Sequence, residues 1–381
     1  MDFSWSEEQQ DMRRRVADLG RSELNHDLRA RDARGEFNRE GWLRCAQFGV
    51  LGMLVPPEYG GLGLDAVSAV GVLERLGYGC KDNGLVFAIN AHMWAAQMPL
   101  LHFGSEEQKQ QWLPGLASGR LIGGNAMTEA ESGSDAFGLA TTARRRDDRY
   151  ILNGTKMFVS NGSVADVLVV YATVDRARGP RGISTFLVEN GAPGLKVSAE
   201  VEKMGLRTAP MAELFFEDCE VPAENRLGEE GNGADVFAHS MSWERACILA
   251  GAVGAMDRLL ETAVRHAKTR KQFGQAIGKF QLVASRIVDM KIRVETARAS
   301  LYRTAWLRDQ GKSIFLDAAL TKLHISESWV RSAEDALQIH GGYGYMKECE
   351  LERELRDALG SRIYSGTSEI QRVLIGSLLG L

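Results

Sequence analysis

The sequence predicts an α+β protein in three parts: an N-terminal α-helical domain over residues 1–121, a middle antiparallel β-barrel or sandwich over 122–230, and a C-terminal four-helix bundle over 231–381. Three observations carry this reading. Apolar residues recur at three- and four-residue spacing in the first part. Short β-branched runs separated by Asn-Gly and Gly-Pro pairs fill the middle. Long apolar helical faces return after Gly233.

In the first part, Ala66–Leu76 and Leu85–Leu101 carry the helical period. Ser105 caps a short helix over Glu106–Trp112, and the Pro/Gly-rich Val55–Leu64 is a break. In the middle, Tyr150–Asn153, Val167–Ala172, Thr185–Val188 and Leu214–Phe216 read as strands, with turns at Asn153-Gly154, Asn161-Gly162, Gly179-Pro180 and Asn190-Gly191. No helical run lies between these strands, so a parallel βαβ sheet is excluded. In the last part, Trp243 to about Lys271, Phe280–Arg308 and Ile314–His340 are long enough for bundle helices.

Composition removes several function classes. The net charge of −4 gives no general attraction for nucleic acid. No stretch approaches the roughly 18 apolar residues of a membrane span. The polar start, MDFSWSEEQQDMRRR, lacks the apolar core of a signal peptide, which makes the cytoplasm the expected location. Cys45, Cys80, Cys219, Cys247 and Cys349 are scattered, with no Cys-x-x-Cys pair and no HxxxH, so no metal site is expected.

Seven segments could carry chemistry. Gly60–Gly63 and Gly341–Gly344 are glycine-rich, but neither follows a strand and opens a helix as a Rossmann turn must. Met127–Asp135 is dense in hydroxyls and backbone donors, which suits phosphate or a flavin edge as well as a surface loop. In Lys156–Gly162, strand alternation puts Phe158 and Ser160 on one face, where they could flank a flat ring or simply pack. Lys268–Gly274 crowds three cations near a helix end, either as dipole pairing or as a pyrophosphate clamp. Arg362–Gln371 is a turn opening a last helix, whose N–H groups could receive an anion or carbonyl. Met241–Ala246 opens a helix with Glu244 in its first turn, ordinarily a dipole-pairing position.

Together and in this order, the segments resemble the acyl-CoA dehydrogenase family across essentially the whole chain. The pieces are Val-Pro-Pro-Glu-Tyr-Gly-Gly-Leu-Gly (55–63), Met-Thr-Glu (127–129) with Gly-Ser-Asp (133–135), Lys-Met-Phe-Val-Ser-Asn-Gly (156–162), Arg-Lys-Gln-Phe-Gly (270–274) with Gln281, Gln-Ile-His-Gly-Gly-Tyr-Gly (338–344) and Ile-Tyr-Ser-Gly-Thr-Ser-Glu-Ile-Gln (363–371). The resemblance implies FAD as cofactor. It assigns Met127 and Thr128 to the flavin ring, Ser134 to phosphate or pantetheine, and Phe158 and Ser160 to the ring near N5. It assigns Arg270, Phe273 and Gln281 to the FAD of a neighbouring subunit, Gln338, Gly341 and Gly342 to its adenosine side, and Thr367 and Glu369 to contacts after the final turn. A homodimer or homotetramer follows, as does an electron acceptor such as an electron-transfer flavoprotein.

Three departures from the family pattern stand out. Ala130-Glu131-Ser132 replaces Pro-Gly-Ala in the first flavin motif, and Phe158 stands where Trp is frequent. More consequential, Ser365 occupies the position where many members carry the catalytic Glu before Gly-Thr. A second family arrangement places that Glu in a Glu-Arg pair in the C-terminal helices, which Glu244-Arg245 matches. The resemblance therefore implies α,β-dehydrogenation of an acyl or aminoacyl thioester, with Glu244 as base. On the same resemblance, the Ser365 N–H would face the thioester carbonyl, and Arg245 and His92 would line the substrate. Asn83–Trp94 and Ser242–Ile248 look most like the branch acting on groups tethered to carrier proteins, prolyl among them, with CoA as the other carrier of the same thioester. The rival activities on this fold are oxidases and N-hydroxylating monooxygenases.

Overall fold

The structure, a computed structural model, describes residues 4–381. Its N-terminal part is helical: Glu7–Glu23, Leu28–Arg34, Arg39–Phe48, Ala66–Gly79, Asn83–His92, Met98–Phe103 and Glu106–Ala117. The run expected over Leu85–Leu101 is one rod carrying a π turn at Met93–Gln97. Ser105 caps the Glu106 helix reciprocally with Gln108, which leaves neither end group orphaned.

The middle part is an eight-stranded sheet: β1 Gly123–Ala126, β2 Thr142–Arg146, β3 Arg149–Ser160, β4 Val167–Thr173, β5 Ile183–Glu189, β6 Leu195–Val197, β7 Met211–Pro222 and β8 Arg226–Leu227. The order is β6-β7-β3-β2-β4-β5-β8, with β1 on β4. Two expectations are corrected here. The sheet is mixed rather than antiparallel, because β1 runs parallel to β4. Asn153-Gly154 is also not a turn: Gly154, at φ +149°, sits at a register shift inside the β3–β7 ladder. A bulge uses the same residue chemistry as a turn, which is why composition could not separate them. All seven residues of β4 are buried, so both faces of the sheet carry core.

The C-terminal part holds Gly233–Cys247, Ala250–Thr269, Gln281–Asp309 and Phe315–His340, followed by shorter helices to Leu378. The helix expected to begin near Trp243 starts at Gly233 and is interrupted at Ile248–Leu249. A small hairpin, Lys271–Gln272 with Gln275–Ala276, was not anticipated. The N-terminal helices and the bundle share one core that includes Trp42, Trp94, Met256 and Trp329. Ala66–Gly79 meets Ala250–Thr269 at backbone contact: a Cβ on Gly77 would lie 2.1 Å from the Gly251 carbonyl.

Candidate active site

Glu244 lies in the last turn of Gly233–Cys247, not the first, so the favourable end of the helix dipole is not its reason for being there. Its side chain is buried. Burial pushes its carboxyl up, against the Ser365 hydroxyl and the charges of Arg245 and Lys322, which pull it down. Ser365 donates its hydroxyl to Glu244 Oε1 at 2.5 Å. The two positions at which the family places its base are therefore in hydrogen-bond contact in this chain.

Ser365 and Gly366 form a strained turn, with φ +57° and +87°. The left-handed region is costly for serine, so something must hold it. Three side chains do. Arg245 Nε donates to the Ser365 carbonyl at 3.2 Å. Gln371 Nε2 donates to both the Ser365 and Gly366 carbonyls, at 3.1 and 2.9 Å. Lys322 Nζ donates to the Gly366 carbonyl at 2.7 Å. Among the described residues, the N–H groups of Ser365, Gly366 and Thr367 have no acceptor. A turn with its carbonyls pinned and its N–H groups free is a receptor for a developing negative charge. Thr367 caps the next helix by accepting from Ile370 N–H at 3.2 Å, and Glu369 is exposed in its first turn.

A second group of residues lies on the sheet. Met127 is buried and Thr128 half-buried. The Thr128 carbonyl accepts from Met157 N–H at 2.8 Å, which ties this loop to β3. Between Lys156 and Val159 the β3–β7 register shifts, and Phe158 takes φ +55° and stands 55 % exposed. Ser160, two residues on, is half-buried. An exposed aromatic on a bulge beside a buried thioether and a hydroxyl is a ledge for a flat ring. Ser134 is exposed in the loop after Thr128.

Lys156 and Glu129 support that ledge, and the sequence reading gave them no role. Lys156 is fully buried, with its Nζ 2.7 Å from Glu129 Oε1 and 3.0 Å from the Met127 carbonyl. Glu129 also accepts from the N–H groups of Ala140 and Thr141. Burial, the largest influence, would raise the Glu129 carboxyl, but the Lys156 ammonium together with the Thr141 and Ala140 hydrogen bonds outweighs it and holds it low. Burial takes the Lys156 ammonium down to about 8. The signal was present, since a Lys and a Glu each flank an otherwise apolar or hydroxylic motif, but only the fold pairs them.

Arg270, Gly341 and Gly342 share one cleft of about 450 Å³, together with His266, His340 and Tyr343. Arg270 lies 5.8 Å from the Tyr343 ring, and Gly341 holds φ 58°, ψ −136°, a region essentially reserved for glycine. Gln338 is exposed nearby on the same helix. Phe273 tips the unanticipated hairpin at 93 % exposure, and Gln281 begins the long helix after it. Within one chain these two touch neither the ledge nor Glu244.

His92 is the residue the structure removes from the site. It is fully buried. Its Nδ1 accepts from Gly123 N–H at 2.8 Å, its Nε2 lies 3.0 Å from the Leu116 carbonyl, and its ring meets Trp42 edge-on. Burial takes it down to about 4. A neutral histidine with both nitrogens occupied is a core residue, not a substrate contact.

The donor set suits a flavin dinucleotide: a cation and an open glycine turn for phosphate, free N–H groups at a helix start, and the Phe158 ledge for the ring. The described residues hold no cluster of three or more His, Cys, Asp or Glu able to bind a metal, and no helix long and apolar enough to cross a membrane.

Known proteins agree with this geometry. Models of the acyl-CoA dehydrogenase N-terminal, middle and C-terminal domains match residues 6–120, 124–219 and 231–379. An L-prolyl-[peptidyl-carrier protein] dehydrogenase of Pseudomonas fluorescens is 46 % identical over 91 % of each chain. Its counterpart in a Serratia species is 41 % identical over 100 % of this chain and 99 % of that one. The crystal structure of a prolyl acyl carrier protein oxidase superposes with a TM-score of 0.98 at 52 % identity, over 99 % of this chain and 100 % of that one. Butyryl-CoA dehydrogenase from Megasphaera elsdenii superposes at 0.96 with 36 % identity over 100 % of both. With three consecutive domain models and full-length relatives aligned on the same architecture, this chain belongs to the acyl-CoA dehydrogenase family.

Proposed function

We propose that this chain is an FAD-dependent oxidoreductase that removes the α and β hydrogens of an aminoacyl thioester, L-prolyl in the first instance, carried on a carrier protein. The observation that carries the reading is the buried Glu244 carboxyl, oriented by Ser365 beside a turn of unpaired N–H groups. Glu244 takes the α proton, and the Ser365 N–H receives the thioester oxygen as charge builds there. Bound FAD supplies the hydride acceptor. Met127, Thr128, Phe158 and Ser160 would hold its ring, with Ser134 at a phosphate or the pantetheine arm. Arg270, Gly341 and Gly342 would hold the phosphates and adenosine side.

The prolyl and carrier-protein assignments come from relatives named for that substrate at 46 % and 41 % identity. The experiment is direct: incubate the purified flavoprotein with matched L-prolyl thioesters of a carrier protein and of CoA. Product mass two hydrogens lower, with higher kcat/KM on the carrier, supports the reading. Equal or better turnover of the CoA ester rejects the carrier assignment.

An oxidase reading has specific support, because the 52 % identical structural relative is named as an oxidase. Stoichiometric oxygen consumption and peroxide release would select it over transfer to an electron-transfer flavoprotein. A homo-oligomer is also proposed. Phe273 and Leu282 are 93 % and 84 % exposed on adjoining elements, with Val288 and Ile292 continuing the apolar face. In an oligomer this face would carry Arg270, Phe273 and Gln281 toward a neighbour's cofactor. Light scattering of the purified protein tests this.

A further inference from the structure

We propose that Lys322, together with Gln371, is a positioning residue for the reaction. It holds the Ser365-Gly366 turn in its left-handed conformation from behind and places an ammonium group beside the base. The inference rests on Glu244 being that base.

Lys322 is on the inner face of Phe315–His340 and is fully buried. An ammonium without water is costly unless its donors are used and its charge is balanced. Its one hydrogen bond goes to the Gly366 carbonyl at 2.7 Å, and the Tyr364 ring lies 5.9 Å away. No carboxylate lies within 4.0 Å of it among the described residues, so it is not half of an ordinary salt bridge. A position this buried would be held at less cost by Leu or Met, unless the cation serves the turn it touches.

The geometry shows what that service is. Gly366 presents its carbonyl to Lys322 and Gln371 on one side, while Ser365 turns its hydroxyl to Glu244 on the other. Gln371 is also fully buried and spans both carbonyls. Fixing the carbonyls fixes the peptide planes. Those planes carry the Gly366 and Thr367 N–H groups, so the clamp fixes where these point, and it holds in place the Ser365 backbone from which the hydroxyl reaches the carboxylate.

The charged groups around Glu244 come from every packed element. Arg245 is on its own helix, Lys322 on the facing bundle helix, and the neutral hydroxyls of Tyr364 and Tyr171 come from the turn and from β4. Lys322 in turn faces Arg245, Glu244, Glu327 and Glu369. Both cations favour the ionised base, so removing one disfavours it.

The test uses two variants of the holoenzyme. Lys322→Met removes the donor and the charge, while Gln371→Met removes two donors and no charge. Misplacing the turn by about 1 Å should lower kcat on the order of 10²-fold in both, with KM and FAD content little changed. Lys322→Met should move the acid limb of kcat further toward higher pH than Gln371→Met, since it alone also removes a charge facing Glu244. Wild-type kcat in Gln371→Met, or an unmoved acid limb in a folded Lys322→Met, overturns the proposal. If Lys322→Met does not fold, Gln371→Met decides: a kcat loss at retained flavin supports the clamp, and an unchanged kcat rejects it. Should Glu244→Gln be fully active, the base assignment itself fails, and that result is separate from either variant.

Discussion

Replacing Glu244 by Gln is the most decisive single change. The amide is isosteric, and its oxygen can still accept the Ser365 hydroxyl that Glu244 Oε1 accepts at 2.5 Å. Burial, packing and the turn are thereby preserved, and what is lost is the basic lone pair. Loss of a general base typically costs about 10²–10⁴-fold. The loss should fall toward the upper part of that range. Glu244 itself is buried, and among the described residues no second carboxylate hydrogen-bonds Ser365 to substitute. The assay is anaerobic stopped flow, following flavin bleaching by the thioester at saturating substrate, with FAD content measured from absorbance. Full FAD occupancy with a reduction rate within tenfold of wild type would refute the reasoning. The Glu244→Gln protein should also lose the acid limb of its residual rate, because the group that titrates there is gone.

Four further outcomes follow from the same geometry. Ser365→Ala removes a donor to the charged form of Glu244. Hydrogen bonds to ions are worth about 1.5–3 kcal/mol, so the acid limb of kcat/KM should rise by about one to two pH units; an unmoved limb would show that the contact does not tune the base. Lys156→Met leaves Glu129 buried without its cation at a cost of about 3–5 kcal/mol, and should appear as a lower urea midpoint together with weaker FAD retention. Arg270→Ala should weaken FAD retention and oligomer stability together, which a dilution series read by absorbance and light scattering would check. His92, ordinarily at 6.5 and held at about 4 by burial, binds a proton in the unfolded chain but not in the folded one between those values. Stability should therefore fall by about 3 kcal/mol as pH drops from 6.5 to 4, and unfolding of His92→Gln should show a correspondingly shallower pH dependence.

Much of this was legible in the sequence, for reasons that differ from element to element. The helical and strand periods survive in any one chain, so the order of helical, β and helical parts could be read directly. β4 was readable as a strand because burial on both faces leaves a continuous apolar run. What failed was chemistry that one residue type serves in two ways. Gly154 relieves a bulge instead of closing a turn, and His92 satisfies two core groups instead of meeting a substrate. Pairings distant in sequence were not legible at all. Lys156 on β3 finds Glu129 in the loop after β1, and Lys322 reaches Gly366 from another helix. Neither spacing follows any local period.

The transfer of the carboxylate from position 365 to position 244 has a physical consequence that bears on the function. A glutamate on the left-handed turn would couple the base to the same strained backbone that presents the N–H groups. Here the proposed base, Glu244, sits on a regular helix, where its backbone is held by the helix hydrogen-bond ladder, including Ile248 N–H to the Glu244 carbonyl at 2.8 Å. The turn is then free of the base and bears only a hydroxyl. Its conformation has to be enforced separately, and Lys322, Gln371 and Arg245 provide that enforcement. The division predicts that the two tasks separate experimentally. Changes to the clamp should alter carbonyl activation and the tuning of the base while leaving its identity intact. Restoring a carboxylate by Ser365→Glu in the Glu244→Gln background should recover rate only to the extent that the clamp tolerates a longer side chain on a φ of +57°. Recovery to full wild-type rate would show that the turn, not the helix, sets the reach to the α carbon.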